Sequence, residues 1–374
     1  MRAGTRSRAH PAPRLRGGAG AGGEVGAAGL NGGHGRNVSD DDLLAIDPAG
    51  VMGKDRCMTS NGTPVMLALH QTALGGPEVL RPTELPRPEP GPGEILVAVH
   101  AAGLNPTDFK HRAVRVFLPP PPLTLGWDVS GTVVETGFGV TLFRPGDEVF
   151  GMLPYPHGAG SHAEYVTGPA RAFAAKPAGV SHVQAAALPL AALTAWQALV
   201  DTADLRAGQR VLIHAAAGGV GHLAVQLAKE RGAHVTGTAS APKHDFLREL
   251  GADACVDYRS EDFTAAAEPY DVVLDTLGGQ TATRSVSALR PGGVLVSLLP
   301  GAEDTAAAAE KAGVRAAVML VEHDQSGMRA IAERAADGRL RAHVSGTFPL
   351  AEGATAHAQA ETGRTTGKLV ITVR

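Results

Sequence analysis

The segment Val211–Ser240, VLIHAAAGGVGHLAVQLAKERGAHVTGTAS, limits what this chain can fold into more than any other stretch, because it reads without a break as strand, glycine-rich turn, helix and second strand. Val211, Leu212 and Ile213 form the uninterrupted apolar run of a strand buried on both faces of a parallel sheet. Ala216, Gly218 and Gly221 then fall at the G-x-G-x-x-G spacing, with alanine in the first place and Ala217, Gly219 and Val220 between. Such a turn is tight, and its bare amides can take a pyrophosphate at the start of the next helix. From Gly219 to about Gly232, Leu223, Ala224, Leu227 and Ala228 recur at helical spacing, and a strand over Ala233–Ala239 follows. An ordinary glycine-rich turn is the competing reading. Strand and helix in the required order favour a dinucleotide site.

An NAD-specific site places an acidic residue on the ribose roughly 20 residues after the glycines. Here the second strand ends in Thr238-Ala239-Ser240-Ala241-Pro242-Lys243, with no carboxylate. Ser240 and Lys243 can donate to a 2′-phosphate that an acid would repel, so the expected cofactor is NADPH rather than NADH. The competing role for Lys243 is that of a solvated lysine at a helix start.

A chain of 374 residues suits two domains. Its net charge of -3 gives no general pull toward nucleic acid or anionic membrane, and no apolar run is long enough to span a bilayer. Two cysteines, Cys57 and Cys255, exclude a disulfide framework and make a reducing, cytoplasmic setting the default. The first 57 residues are rich in Gly, Ala and Arg without apolar periodicity, so a disordered extension is expected over 1–62. Met58 or Met66 would open directly onto foldable sequence. From Met66, short β-like runs at Met66–Leu69, Glu94–Ala101, Ser130–Thr136, Glu148–Met152 and Ala163–Thr167 are punctuated by Gly and Pro. A helix is expected over Val183–Val200, then the dinucleotide unit. Strands at Asp271–Leu274 and Gly293–Leu298 continue the α/β rhythm, and a basic helical stretch, AERAADGRLRAH, precedes a last strand at Lys368–Val373.

Together these segments resemble the zinc-free branch of the medium-chain dehydrogenase/reductase family, the quinone oxidoreductases of the zeta-crystallin type. The resemblance rests on AAGLNPTDFK (Ala101–Lys110), LGWDVSG (Leu125–Gly131), RPGDEVFG (Arg144–Gly151), GAGSHAEYV (Gly158–Val166), LPLAALTAWQAL, the AAAGGVG turn, DVVLDTLGG (Asp271–Gly279), LRPGGVLVSL and the terminal GKLVITV. It implies an α/β fold with two parts. A GroES-like, β-rich catalytic domain would take 63–185 and 337–374, and a doubly wound Rossmann domain binding NADPH would take 186–336. Nicotinamide and substrate would share the cleft between them, and homodimerisation is expected.

Zinc-dependent members of the family carry a Cys where this chain has Asn105 and a His-Glu pair where it has Trp127-Asp128. No thiolate or imidazole stands at those points, and two cysteines cannot build a four-cysteine lobe, so no metal site is expected. Of the 15 histidines, His157 and His162 lie close in sequence, and solvated loops are the expected explanation. Without a Lewis acid, the implied chemistry is hydride transfer from NADPH to a quinone or to the β-carbon of an enone.

By match to the family's N-x-x-D segment, Asn105 lies beside nicotinamide and substrate, its amide donating to the developing oxyanion; a buried turn-former is the alternative. Asp108 orients the loop. Many quinone reductases have a tyrosine where this chain has Lys110, which either stabilises an enolate or forms a structural ion pair. For the cofactor, Tyr258 matches a tyrosine bordering the adenosine phosphate, or packs at a strand end. Thr194 matches a threonine near nicotinamide, or is an inert helix hydroxyl. Arg364 and Lys368 lie where relatives send a basic side chain to the cofactor. Leu277 is also expected to bind the cofactor, and the backbone around Ser297–Gly301 to border the nicotinamide carboxamide. Besides the small-molecule quinone or enone reductase, two functions compete: an enoyl-thioester reductase, and an NADPH-binding sensor or structural protein with little catalysis. No specific nucleic-acid or membrane partner is expected.

Overall fold

The structure, a computed structural model, describes residues 64–374. The extension expected over 1–62 and Cys57 lie outside the described residues.

The first half builds a β-rich unit from β1 (Val65–Gln71), β2 (Leu80–Pro86), β3 (Glu94–Leu104), α1 (Pro106–Ala113), β4 (Leu123–Thr124), β5 (Asp128–Thr136), β6 (Glu148–Met152), β7 (Tyr165–Pro169) and β8 (Phe173–Ala175). Two short helices, α2 (His182–Ala186) and α3 (Pro189–Trp196), lead into the second unit, where strands and helices alternate. These are β9 (Arg210–Ile213), α4 (Gly221–Glu230), β10 (His234–Ala239), α5 (His244–Glu249), β11 (Ala254–Asp257), β12 (Tyr270–Asp275), α6 (Gly279–Ala288), β13 (Leu289–Ser297), α7 (Thr305–Ala312) and β14 (Arg315–Val318). Then α8 (Gln325–Ala336), β15 (Val344–Pro349), α9 (Gly353–Glu361) and β16 (Lys368–Thr372) complete the chain.

The six strands β9–β14 form one parallel sheet in the order β11-β10-β9-β12-β13-β14. This is the doubly wound Rossmann arrangement, which reverses direction beside β9 and opens a crevice at the strands' carboxyl ends. Val211, Leu212 and Ile213 are all fully buried because β9 is covered on both faces: Val211 and Ile213 join the large core, Leu212 a second core with Val273 and Leu295. Burial of each such side chain contributes roughly 1.5–3 kcal/mol.

The GroES-like sheet runs β15-β16-β3-β5-β6-β8, with β7 also paired to β3. Its β16 comes from the far end of the chain and lies antiparallel to β3, Leu369 opposite Leu104. That register delivers Lys368 to the end of β3, where Asn105 begins α1. Among the described residues, no helix is long and apolar enough to cross a membrane.

Two local expectations are corrected. The helix expected over Val183–Val200 is broken: α2 ends at Ala186, and Pro189, which has no N–H to continue a helix, starts α3 afresh, with a π-helical turn over Gln197–Thr202. The basic stretch 332–343 is helical only to Ala336, because Gly338 adopts φ +71° and reverses the chain. No expectation covers β15 and α9: β15 has only partly covered faces and α9 is rich in alanine, so neither shows a strong apolar period.

Candidate active site

The glycine-rich turn is held from beneath. The side chain of His214, which follows β9, is clamped between Thr238 Oγ1 at 3.2 Å and Ser285 Oγ at 2.9 Å, and burial lowers its pKa to about 4, so it is neutral. The amides of Ala215 and Ala216 donate to Thr238 Oγ1 and to its carbonyl, at 3.1 and 2.9 Å. Ala216 and Ala217 bury their side chains, whereas the amides of Ala217, Gly219 and Val220 donate to no acceptor among the described residues. A Cβ on Gly221 would stand 2.5 Å from the Ala215 carbonyl oxygen, so the helix can pack this closely only without a side chain there. Free amides at the start of an α4 that meets the strand this tightly fit a pyrophosphate.

At the tip of β10 the structure gathers four of the expected residues. Ser240 follows Ala239, which pairs with Asp257, so Tyr258 lies alongside; its ring is 59% exposed, which excludes a core-packing role. Arg259 stacks its guanidinium 5.7 Å from that ring. Lys243 is not a freely solvated lysine: Nζ donates to the carbonyls of Arg364 at 3.1 Å and Thr365 at 3.4 Å, and its pKa is lowered chiefly by burial. It has no carboxylate partner among the described residues. Beside these carbonyls opens a cavity of about 370 Å³ lined by Ser345, Gln359, Thr362 and Arg364 among others. Leu277 stands half-exposed after β12, next to Thr276, whose hydroxyl donates to the His214 carbonyl at 3.1 Å.

The catalytic loop is organised differently from expectation. Asn105 caps α1, and its own backbone N–H donates to Asp108 Oδ2 at 2.7 Å, so Asp108 does orient the loop. The Asn105 amide, however, donates to Asp128 Oδ2 at 2.9 Å and to the Gly103 carbonyl at 3.4 Å, and its oxygen accepts from Lys368 Nζ. With the side chain buried and its donors committed, Asn105 holds a network and is not poised as an oxyanion donor. Lys368 is corrected in the same way: its ammonium also donates to Leu104 O at 3.0 Å and pairs with Asp128 Oδ2 at 3.3 Å, leaving no proton for a cofactor. Only its stem touches the cofactor turn, 3.3 Å from where a Gly219 Cβ would be. Asp128 also accepts the Leu190 amide at 2.6 Å, tying α3 to the same network.

Other residues resolve simply. Lys110 is exposed on α1 without an ion pair among the described residues, which removes the structural-pair alternative. The Thr194 hydroxyl donates to Leu190 O within its own helix at 2.6 Å. His157 is exposed as expected, but His162 is fully buried and its pKa is lowered to about 3 by that burial. Unforeseen is a group that α1 forms with the segment after β6: Thr107, His111 and Tyr155, walled by Trp127 and Phe117. Among the described residues, no group of three or more His, Cys, Asp or Glu side chains is arranged to hold a metal.

Two family profiles match, described as "Alcohol dehydrogenase GroES-like domain" over residues 91–178 and "Zinc-binding dehydrogenase" over residues 250–371. The bovine mitochondrial protein named NAD(P)H oxidoreductase RTN4IP1 is 34% identical over 362 residues, covering 84% of this chain and 91% of its own length. A quinone oxidoreductase structure from Coxiella burnetii is 39% identical, with a TM-score of 0.79 over 83% of this chain and 100% of that one. The Escherichia coli quinone oxidoreductase complexed with NADPH is 28% identical, with a TM-score of 0.75 over 82% and 100%. With the paired GroES-like and Rossmann units and Asn105, Trp127 and Asp128 at the zinc-ligand positions, these likenesses establish that the chain is an oxidoreductase belonging to the zinc-free, quinone-oxidoreductase branch of the medium-chain dehydrogenase/reductase family.

Proposed function

We propose that this protein is an NADPH-dependent, zinc-independent reductase that transfers hydride to a quinone or to the C=C of an α,β-unsaturated carbonyl. The observation that carries the cofactor choice is the ammonium of Lys243, held at the β10 tip by two carbonyls and with no carboxylate partner among the described residues. Ser240 and Arg364 stand beside it, and the three together suit a 2′-phosphate. The quinone oxidoreductase named with NADPH supports the same choice.

The bound reduced nicotinamide supplies the hydride. The chain's own residues bind and position. The amides of Ala217, Gly219 and Val220 bind pyrophosphate, and Lys243 fixes the phosphorylated ribose. Asn105, Asp128 and Lys368 lock the start of α1 against β16 and the glycine turn, so that α1 and the aromatic wall keep a fixed distance from the cofactor. We also propose a homodimer formed through β14. Among the described residues it is one of the two edges of the parallel sheet, and Val318 and Leu320 stand 66% and 49% exposed there.

The test follows loss of reduced-nicotinamide absorbance for the purified chain, with NADPH or NADH, against quinones, enals, enones and enoyl thioesters. NADPH-dependent consumption on quinones or free enones supports the proposal. Consumption confined to thioesters favours the enoyl-thioester alternative, and tight NADPH binding with no consumption favours a sensor. Light scattering at several concentrations tests the dimer.

A further inference from the structure

We propose that Tyr155 is the acid that protonates the substrate's carbonyl oxygen as hydride arrives, with Thr107 holding its phenol oxygen. The proposal rests on the reductase reading above and names the proton donor that reading lacks. Asn105 has both amide protons committed to Asp128 and Gly103, and Lys110 is exposed on α1 with no side-chain hydrogen bond or ion pair among the described residues to hold its ammonium in one place.

The backbone N–H of Phe117 donates to His111 Nε2 at 3.2 Å, so that nitrogen is unprotonated and the ring proton sits on Nδ1. Nδ1–H in turn donates to the Thr107 carbonyl at 2.8 Å and approaches Thr107 Oγ1 at 3.1 Å. The threonine hydroxyl therefore accepts on one side and spends its own proton on Tyr155, 3.2 Å away. Tyr155 is thus an acceptor toward Thr107, and its single O–H proton has no acceptor among the described residues. Tyr155 as a whole is partly buried, and its ring is fixed edge-on by Trp127 at 5.3 Å and Phe117 at 6.3 Å between ring centres. Burial raises its pKa above the usual tyrosine value, so the proton is in place at neutral pH; the Thr107 hydroxyl opposes that rise because it stabilises the phenolate.

Its location is also defined. Thr107 is two residues past Asn105, whose oxygen binds the Lys368 ammonium, and the Lys368 stem lies against Gly219 of the cofactor turn. Tyr155 is thus tied through Thr107 to the loop that the cofactor turn supports, and it packs edge-on against Trp127, which stands at a zinc-ligand position of the family.

The step balances as follows. Hydride supplied by a bound reduced nicotinamide would bond to the β-carbon of an enone, or to one carbonyl oxygen of a quinone, and the displaced π pair would move onto the enone carbonyl oxygen or the opposite quinone oxygen. The Tyr155 O–H bond breaks, and its proton goes to that oxygen to give the enol or hydroquinone. The phenolate that remains accepts the Thr107 hydrogen bond and recovers a proton from water.

The test compares wild type, Tyr155→Phe, Thr107→Val and Thr107→Ser on an electron-rich and an electron-poor acceptor of whichever class the enzyme turns over. NADPH affinity is measured in parallel by fluorescence titration. A general acid matters most when the product anion is basic, so Tyr155→Phe is expected to lower kcat about 100-fold on the electron-rich acceptor and far less on the electron-poor one, with NADPH affinity unchanged. Thr107→Val should show the same selectivity at about tenfold, and Thr107→Ser should restore the rate. Equal losses on both acceptors, or wild-type kcat in Tyr155→Phe, overturn the assignment while leaving the reductase intact. If the wild-type protein consumes no reduced nicotinamide with any acceptor, the reductase reading falls and this inference falls with it.

Discussion

Lys368 Nζ lies 3.3 Å from Asp128 Oδ2 with the two side chains 3% and 0% exposed, so an ion pair between β16 and β5 is sealed inside the protein at the foot of the catalytic loop. Burial raises the Asp128 pKa, while Lys368, Asn105 and the Leu190 amide pull it down. The pair holds because the remaining lone pairs and protons are taken by Asn105, Leu104 and Leu190.

Removing one partner leaves the other charge uncompensated. Lys368→Met is expected to lower unfolding stability by about 3–5 kcal/mol in urea denaturation, and the added change Asp128→Asn should recover part of that loss. If the single variant matches wild type, the pair has no structural role.

Cofactor choice has a direct probe at the β10 tip. Lys243→Glu should weaken NADPH binding roughly 10–100-fold by replacing a charge-assisted bond with repulsion, and should leave NADH affinity nearly unchanged. Isothermal titration with both nucleotides measures the ratio; an unaltered ratio removes Lys243 from the 2′-phosphate site.

Steric closeness at the turn gives a third expectation. Gly221→Ala puts a methyl 2.5 Å from Ala215 O and 2.6 Å from Ala216 Cα, both backbone atoms that cannot swing away. The strain, about 1–3 kcal/mol, should cost dinucleotide affinity tenfold or more, with circular dichroism showing the fold retained. Wild-type affinity would show that the turn relaxes freely.

Asp108 supplies a pH dependence. Its pKa is raised from 3.8 to about 8, first by burial, with the Asp128 charge adding and the Asn105 amide and Lys368 opposing. A carboxyl that is harder to ionise when folded binds more protons in the native state between those values. Its contribution is therefore complete below about pH 4 and is lost as pH rises through about 8. Asp108→Asn, which keeps an oxygen to accept the Asn105 amide, should flatten the fall in Tm between pH 6 and pH 9. An unchanged slope would assign the pH dependence to other groups.

Much of the site was legible where chemistry and sequence are local. The glycine turn, the end of β10 and the capping pair Asn105 and Asp108 each lie within a few residues, so the bare amides, the absence of a carboxylate after β10 and the Asn105–Asp108 pairing are legible locally. Where a side chain turns is not. The sequence leaves Asn105 open between oxyanion donor and buried turn-former and offers Lys368 as a cofactor ligand, because nothing in NPTDFK or GKLVITV indicates that the two segments bond to each other. Tyr155 carries no signal for a related reason: its partner Thr107 is 48 residues away, and YPHG has no motif.

The sequence by itself determined the parallel α/β unit, the β-rich partner and the phosphate-binding turn, because strand burial, helical period and glycine spacing act over a few consecutive residues. Only the tertiary structure decided which polar groups face the cleft and which are consumed within the protein. That choice depends on the β3–β16 register, which sets Leu369 opposite Leu104 and drives an ammonium into a buried site where every proton must find an acceptor.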